Sequence, residues 1–373
     1  MLFDLAWHPF SRRARRSPKS IVVIKPCCLG DVLMTTPLLE VLHRAYPQAS
    51  ITYVAGTWSK VVPEHHSAVN TVIDSGTVGI PGRYSLSDYM RLAGILRKHH
   101  FDLALVLDRS PMLTLLPWLA AIPRRVGPDS LRRGFSLTDR VPISSSPMRL
   151  QHQAEIYLDL ARAIGLPIEH PSMRFEPTED ERGCVRYSAP VQVASLPGGG
   201  SNPGMELTAK RWPLERYREL TKKLVQELGA QVLLIGGPDD VALNQDLLDG
   251  LDVPEGTVIN IAGKTSIGQL AAQLERCTLF IGNDSGPTHL ATALGIPVIV
   301  IFGPTSPQEY GPYPLDDPKH IALWHHSAGQ PCFFLGKMQT STPCTCIEAI
   351  TLEDVWQAIQ RLIPSTPSKE VTP

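Results

Sequence analysis

The chain has 373 residues, 43% of them apolar, with 35 Lys and Arg against 36 Asp and Glu and a pI near 6.9. At about 150 residues per domain this length makes two domains, and a formal charge of -1 excludes a general nucleic-acid binder, whose surface must displace phosphate counterions. Seven dispersed cysteines in so apolar a chain are not needed to staple a core, so the expected compartment is reducing and cytoplasmic.

Residues 1–19, MLFDLAWHPFSRRARRSPK, carry an apolar stretch ahead of their arginines, the reverse of a secretory signal. No later segment is apolar for long enough to span a bilayer. The extension reads either as a solvated tail or as a peripheral contact with the inner membrane. In the second case Leu2, Phe3, Leu5, Trp7 and Phe10 rest on lipid, and Arg12, Arg13, Arg15, Arg16 and Lys19 meet anionic headgroups.

From residue 20 a βαβ rhythm begins. Ile21 to Ile24, Ile51 to Val54 and Leu103 to Leu107 have the β-branched, non-alternating character of buried parallel strands. Between the first two, Leu38, Leu39, Val41, Leu42 and Ala45 fall at helical spacing, with Pro37 marking a kink or a late start. Residues 166–189, rich in Pro, Glu and Asp and without a sustained period, read as an interdomain linker with its flanks. A second α/β series follows, with strands expected at 191–196, 231–235, 279–281 and 298–302. Thr351 then caps a helix with an acidic first turn that leads into Val355, Ile359 and Leu362. The expected organisation is an α/β protein with a basic extension over 1–19, Rossmann-like lobes over 20–175 and 176–350, and a C-terminal helix with a disordered tail over 351–373. The two halves show no internal sequence repeat, and the sequence sets no oligomeric state.

Three segments carry chemistry. Ile21 to Ile24 runs through Lys25-Pro26-Cys27-Cys28-Leu29-Gly30-Asp31, placing Asp31 beyond a strand's carboxyl end, where open α/β sheets hold ligands. Asp31 is either a helix cap or a general base. Gly282-Asn283-Asp284-Ser285-Gly286-Pro287-Thr288-His289-Leu290 also follows a strand and opens a helix. It suits either an ordinary capped start or a diphosphate cradle of N–H groups and hydroxyls, with Gly286 allowing close approach. Lys210-Arg211-Trp212-Pro213 follows the loop Pro197-Gly198-Gly199-Gly200-Ser201 and is either a solvated basic pair or a partner for a departing diphosphate.

Taken together, in this order and with Pro37, Tyr46-Pro47 and Phe302-Gly303-Pro304-Thr305, these segments resemble the lipopolysaccharide heptosyltransferases, glycosyltransferase family 9. The resemblance implies a GT-B fold: two Rossmann-like lobes with parallel sheets facing a central cleft, acceptor held by the first lobe and nucleotide sugar by the second. It implies an inverting transferase in which Asp31 takes the acceptor proton and Lys210 binds the donor phosphates. Ser285, Gly286 and Thr288 would line the diphosphate site, with Gly200 and Ser201 beside them, and Asp284 and His289 would hold the sugar and its neighbours. Gly30 would face the acceptor; by their place in the first lobe, Arg124, Arg125, Arg132 and Arg133 either meet carboxylates or phosphates of an acidic glycolipid acceptor or form an ordinary solvated face.

The implied reaction moves a heptose from ADP-heptose to a hydroxyl of the lipopolysaccharide inner core at the cytoplasmic membrane face. No metal and no cofactor beyond the nucleotide sugar is expected. Asp239-Asp240 reads as caps or a ribose contact, not as a metal dyad, and Asp240 stands as a weak donor-site candidate. Cys332, Cys344 and Cys346 with His325 and His326 are irregularly spaced, which favours structural thiols over zinc. Cys27-Cys28 stand where the family often has small hydroxyl residues, and the loop 201–208 is longer than usual. Other readings of the scaffold are transfer from another nucleotide sugar to a different polysaccharide or a small molecule, a nucleotide-sugar epimerase or hydrolase, and a non-catalytic nucleotide-sugar-binding protein.

Overall fold

Runs of Val, Ile and Leu with no polar alternation belong in parallel strands covered on both faces, and such runs build the centre of each half of the protein. The computed structural model describes residues 17–80, 83–129, 134–144, 146, 149–202, 205–325, 332–334, 337–338 and 345–363. The first half comprises β1 (Ser20–Ile24), α1 (Leu29–Leu33), α2 (Thr36–Ala45), β2 (Ser50–Ala55), α3 (Val61–Glu64), β3 (Thr71–Asp74), α4 (Leu86–Lys98), β4 (Leu103–Val106), α5 (Pro111–Leu119), β5 (Arg124–Asp129), β6 (Asp139–Pro142) and α6 (Gln153–Ala163). The second runs through α7 (Glu179–Arg182), β7 (Gln192–Leu196), the hairpin of β8 (Ser201–Asn202) and β9 (Met205–Glu206), α8 (Leu214–Leu228), β10 (Gln231–Leu234), α9 (Val241–Asp249) and β11 (Val258–Asn260). It continues with α10 (Ile267–Leu274), β12 (Leu279–Asn283), α11 (Gly286–Ala293), β13 (Val298–Phe302), α12 (Pro307–Tyr310), β14 (His320–Trp324) and α13 (Leu352–Leu362).

Each half closes into a six-stranded sheet, ordered β3-β2-β1-β4-β5-β6 and β11-β10-β7-β12-β13-β14. All ten neighbouring pairs are parallel, so the loops that leave the strands' carboxyl ends gather on one edge of each sheet. At the centre of the first sheet Ile21 lies beside Ile51 on one flank and Leu103 on the other.

The lobes share one core. Leu33, Leu38 and Leu105 of the first lobe belong to the same buried cluster as Ala194, Phe280 and Leu290 of the second. Polar contacts reinforce the join: His152 Nε2 lies 2.9 Å from the Gly311 carbonyl, and the Tyr313 hydroxyl donates to Glu155.

The connection between lobes is packed along part of its length, whereas composition suggested a loose linker. Met173 and Phe175 are buried, Phe175 stacks on His65, and Thr178 opens α7 with a capping box. Two apolar residues spaced by one are too few to register as a period, yet they suffice to dock a short extended segment.

Strand β5 was not expected because it opens with two arginines. Arg124 pairs with Asp139, while Arg125 donates to the carbonyls of Ser136 and Ile122. Both sit at the strand's amino end, opposite the edge where ligands gather, so neither belongs with the acceptor contacts. At the C-terminus Thr351 caps α13 as expected, and the helix buries Val355, Trp356 and Ile359 in the second lobe's cluster with α8 and β13. No described helix is long and apolar enough to cross a membrane. The extension over 1–16, Arg132, Arg133, His326, Cys344 and the tail from 364 lie outside the described residues.

Candidate active site

The chain leaves β1 through Lys25 and Pro26 and enters α1 by way of Cys27 and Cys28, which are joined as a disulfide between neighbours. That ring ties no distant segments together. Asp31 stands in the first turn of α1, but its carboxylate does not cap the helix: the N-cap is Cys28, and Asp31 Oδ2 lies 3.2 Å from Lys25 Nζ. Lys25 Nζ is also 3.2 Å from Asp108 Oδ2, just beyond β4. Burial works against the Lys25 ammonium, yet the adjacent Asp31 and Asp108 carboxylates help hold its pKa well above the ordinary lysine value.

Across from this turn, β12 ends in Asn283 and α11 begins. Asn283 is fully buried and bonded on every side. Its amide donates to the carbonyls of Pro197 and Gly198 and its oxygen accepts from the Trp212 N–H and the Tyr217 hydroxyl, which fixes the glycine loop and the Lys210 segment to one strand end. Gly200 takes φ +81°, and a side chain there would meet the Leu207 carbonyl at 2.6 Å. Lys210 Nζ lies 2.6 Å from Asp284 Oδ2, which also accepts from the Thr305 hydroxyl at 2.7 Å. Asp284 is 3% exposed; burial alone would raise its pKa, but Lys210 and His289 hold it well below the usual carboxylate range. Ser285, at the N-cap of α11, makes no capping bond.

The two sides meet in one cleft of about 230 Å³ that gathers Gly30, Asp31, Gly200, Lys210, Asp284, Ser285, Gly286 and His289. Cys28, Met34, Leu207, Thr305, Tyr310 and Phe333 complete its wall. Thr288 stands behind that wall, its buried hydroxyl donating to the Asn283 carbonyl, and its main-chain N–H is spent on Ser285. Asp240 is buried and accepts from the N–H groups of Gly199 and Gly237, so it braces the glycine loop from below. Ser201 opens β8 and its side chain lies outside the description.

Sequence reading missed Lys25 and Asp108 as a pair because their contact spans 83 residues, Lys25 passing as part of the turn that leads to Asp31 and Asp108 lying in no motif. It also missed Glu309, 2% exposed with an unpartnered Oε2, whose pKa burial pushes up to about 7 against the pull of Arg109. Away from the cleft, Cys332 Sγ lies 3.6 Å from Cys346 Sγ, while His325 faces Asp354 at 3.8 Å. Among the described residues no group of three or more His, Cys, Asp or Glu is placed to hold a metal ion.

The approach of the lobes is tight where α1 packs on α11. A β-carbon on Gly30 would stand 2.6 Å from His289 Cδ2, and one on Gly286 would stand 2.9 Å from Leu29. Gly30→Ala is therefore expected to part the lobes and reduce kcat/KM by about 100-fold, the usual cost of displacing reacting groups by roughly 1 Å. Steady-state kinetics of Gly30→Ala alone and combined with His289→Ala check this: relief of the clash must restore part of the loss that remains beyond the effect of His289→Ala itself.

This geometry coincides with a family match. The family model Glycosyltransferase family 9 (heptosyltransferase) matches residues 89–341. Lipopolysaccharide heptosyltransferase 2 of Escherichia coli K12 is 31% identical over 302 residues, covering 77% of this chain and 83% of that protein. Lipooligosaccharide heptosyltransferase 2 of Haemophilus influenzae is 30% identical over 311 residues, covering 80% and 86%. Among solved structures, the E. coli ADP-heptose lps heptosyltransferase II superposes with a TM-score of 0.71 at 26% identity, covering 92% of this chain and 98% of the other.

Proposed function

Because this chain belongs to glycosyltransferase family 9 and is a glycosyltransferase of GT-B fold, we propose that it transfers a heptose from ADP-heptose to a hydroxyl of the lipopolysaccharide inner core, with inversion at the anomeric carbon and without a metal. The observation that carries the reading is the cleft itself: a partly exposed carboxylate from one lobe faces a helix N-terminus and a lysine from the other.

Direct displacement needs those two functions on opposite sides of the reacting carbon. Asp31 accepts the proton of the acceptor hydroxyl as its oxygen forms the new bond to the anomeric carbon. The bond to the diphosphate breaks, its electron pair leaves on oxygen, and the N–H groups at the start of α11 together with Lys210 stabilise the charge. Lys210 reaches the donor from its ion pair with Asp284, which keeps the ammonium aimed along the cleft. The acceptor is a glycolipid or a saccharide derived from one, met at the cytoplasmic face of the inner membrane, with residues 1–19 as the peripheral contact.

Incubation with a panel of nucleotide sugars tests the donor. Retention of ADP-heptose in native mass spectrometry, slow release of ADP, and transfer to a heptose-deficient inner-core acceptor are the expected results. Equal retention of UDP- and GDP-sugars, or transfer only from one of these, would rule out the ADP-heptose assignment and leave transfer from another nucleotide sugar.

A further inference from the structure

Two carboxylates share one buried ammonium beneath the acceptor side of the cleft. Lys25, whose side chain is 9% exposed, is 3.2 Å from an oxygen of Asp31 and 3.2 Å from an oxygen of Asp108, whose side chains are 31% and 24% exposed. Asp108 is held independently of the lysine, since its other oxygen accepts the Ser110 N–H at 2.8 Å. One lysine facing one aspartate would need no second carboxylate. Here the ammonium has two.

We infer that Asp108 is a positioning residue for the transfer reaction, acting through the ammonium of Lys25 that it shares with Asp31 to keep Asp31 aimed at the acceptor and able to take its proton. The inference rests on the reading of Asp31 as general base. When Asp31 is ionised, the unit of one ammonium and two carboxylates carries a net negative charge. When the acceptor O–H bond breaks and its proton moves to Asp31, the unit becomes neutral, Lys25 stays protonated, and Asp108 keeps it paired. Without Asp108 the same step would leave a buried ammonium with no counter-charge, a costly state that holds the proton off Asp31.

The surroundings leave this unit in control. Facing it are Tyr53 of β2, Tyr157 of α6, Arg109 beyond β4 and, from the second lobe, Tyr310 of α12 and His289 of α11, with Glu309 behind them near Arg109 and Tyr310. Burial raises the pKa of all three phenols, so they stay neutral and uncharged through the working range. Arg109 donates to the Ser144 carbonyl, which fixes its position, and its charge is the same in every variant compared. Glu309 is the group that could imitate Asp31 in a pH profile, and it is controlled by Glu309→Gln.

The test is the acidic limb of kcat/KM against pH, measured with donor and acceptor on the full-length protein. Asp108→Asn, which keeps the shape and the Ser110 contact, is expected to move that limb to lower pH by about one unit and to slow turnover about tenfold. Lys25→Met is expected to move it to higher pH, and Asp108→Glu to return it toward the wild-type position. Glu309→Gln should leave it in place. A limb that stays put in Asp108→Asn, rises in it, or follows Glu309→Gln overturns the inference, and Asp108→Asn decides the matter even if Lys25→Met does not fold. Failure here is distinct from failure of the base assignment: if Asp31→Asn still transfers, the base reading falls, whereas an inactive Asp31→Asn beside an unmoved limb removes only the role of Asp108.

Discussion

Asp31→Asn is expected to lower turnover by about 100-fold to 10,000-fold while donor affinity stays as it is, which is the span that a positioned general base supplies. The amide matches the carboxylate in shape but cannot take the acceptor proton. Lys25 keeps Asp108 as a partner, so the ammonium is not orphaned and the fold should survive. The proposed donor contacts lie in the opposite lobe, at Lys210, Asp284 and the start of α11, which line the far side of the cleft. Single-turnover rates with saturating donor, read beside donor binding by calorimetry, separate the effects. A variant that turns over at the wild-type rate removes Asp31 from the chemistry, and one that loses donor binding points to a disturbed cleft.

Lys210→Met carries the second large effect, this time on both catalysis and stability. Losing one donor to the departing charge is expected to reduce kcat by about 100-fold to 1,000-fold. The same change leaves Asp284, 3% exposed, without its ammonium, and breaking a buried pair from one side costs on the order of 3–5 kcal/mol. Thr305 and His289 stay beside the carboxylate, which places the expectation near the lower bound.

The sign of the pH dependence follows. In the wild type the folded pKa of Asp284 is depressed, so its contribution is complete above the unfolded carboxylate range and fades as pH falls below it. In the variant burial acts with less opposition, the folded pKa moves above the unfolded value, and the cost is greatest at neutral pH and shrinks on acidification. Urea midpoints of both proteins at pH 7 and pH 5 give the comparison. A gap that widens at pH 5 would contradict this account of the pair.

The fold was legible where a strand is apolar on both faces. Ile21 to Ile24 and Val298 to Phe302 have no polar residue to place on a solvent side, so a buried parallel position is the outcome that satisfies them. Strands toward the flanks of the sheet were not legible in the same way: the edge strand β3 is half exposed, and β5, between β4 and β6, begins with arginines that only the fold turns toward Asp139 and nearby carbonyls.

The candidate site divides along a similar line. Gly30, Asp31, Asp284 and Gly286 could be found because a tight turn or helix start after a strand is a local pattern. Lys25 read only as part of the loop between the first strand and Asp31, and nothing near it in sequence announces Asp108. Asp240 shows the opposite case, since its residue type suits a ribose contact while each of its oxygens accepts from a main-chain N–H of the glycine loops it braces.

The matching strand order of the two sheets sets β1 against β7 and β4 against β12. On that correspondence Lys25 with Asp108 and Lys210 with Asp284 are counterparts: in each half a cation leaving the central strand grips an acid leaving its neighbour. What differs is the path between strand and cation. In the first half Lys25 follows β1 directly and stays submerged, whereas in the second the chain makes an excursion after Gly198 before Lys210 reaches the cleft wall. In the proposed mechanism a single architectural plan would thereby serve proton capture in one half and leaving-group neutralisation in the other, with one detour in the chain as the difference between them.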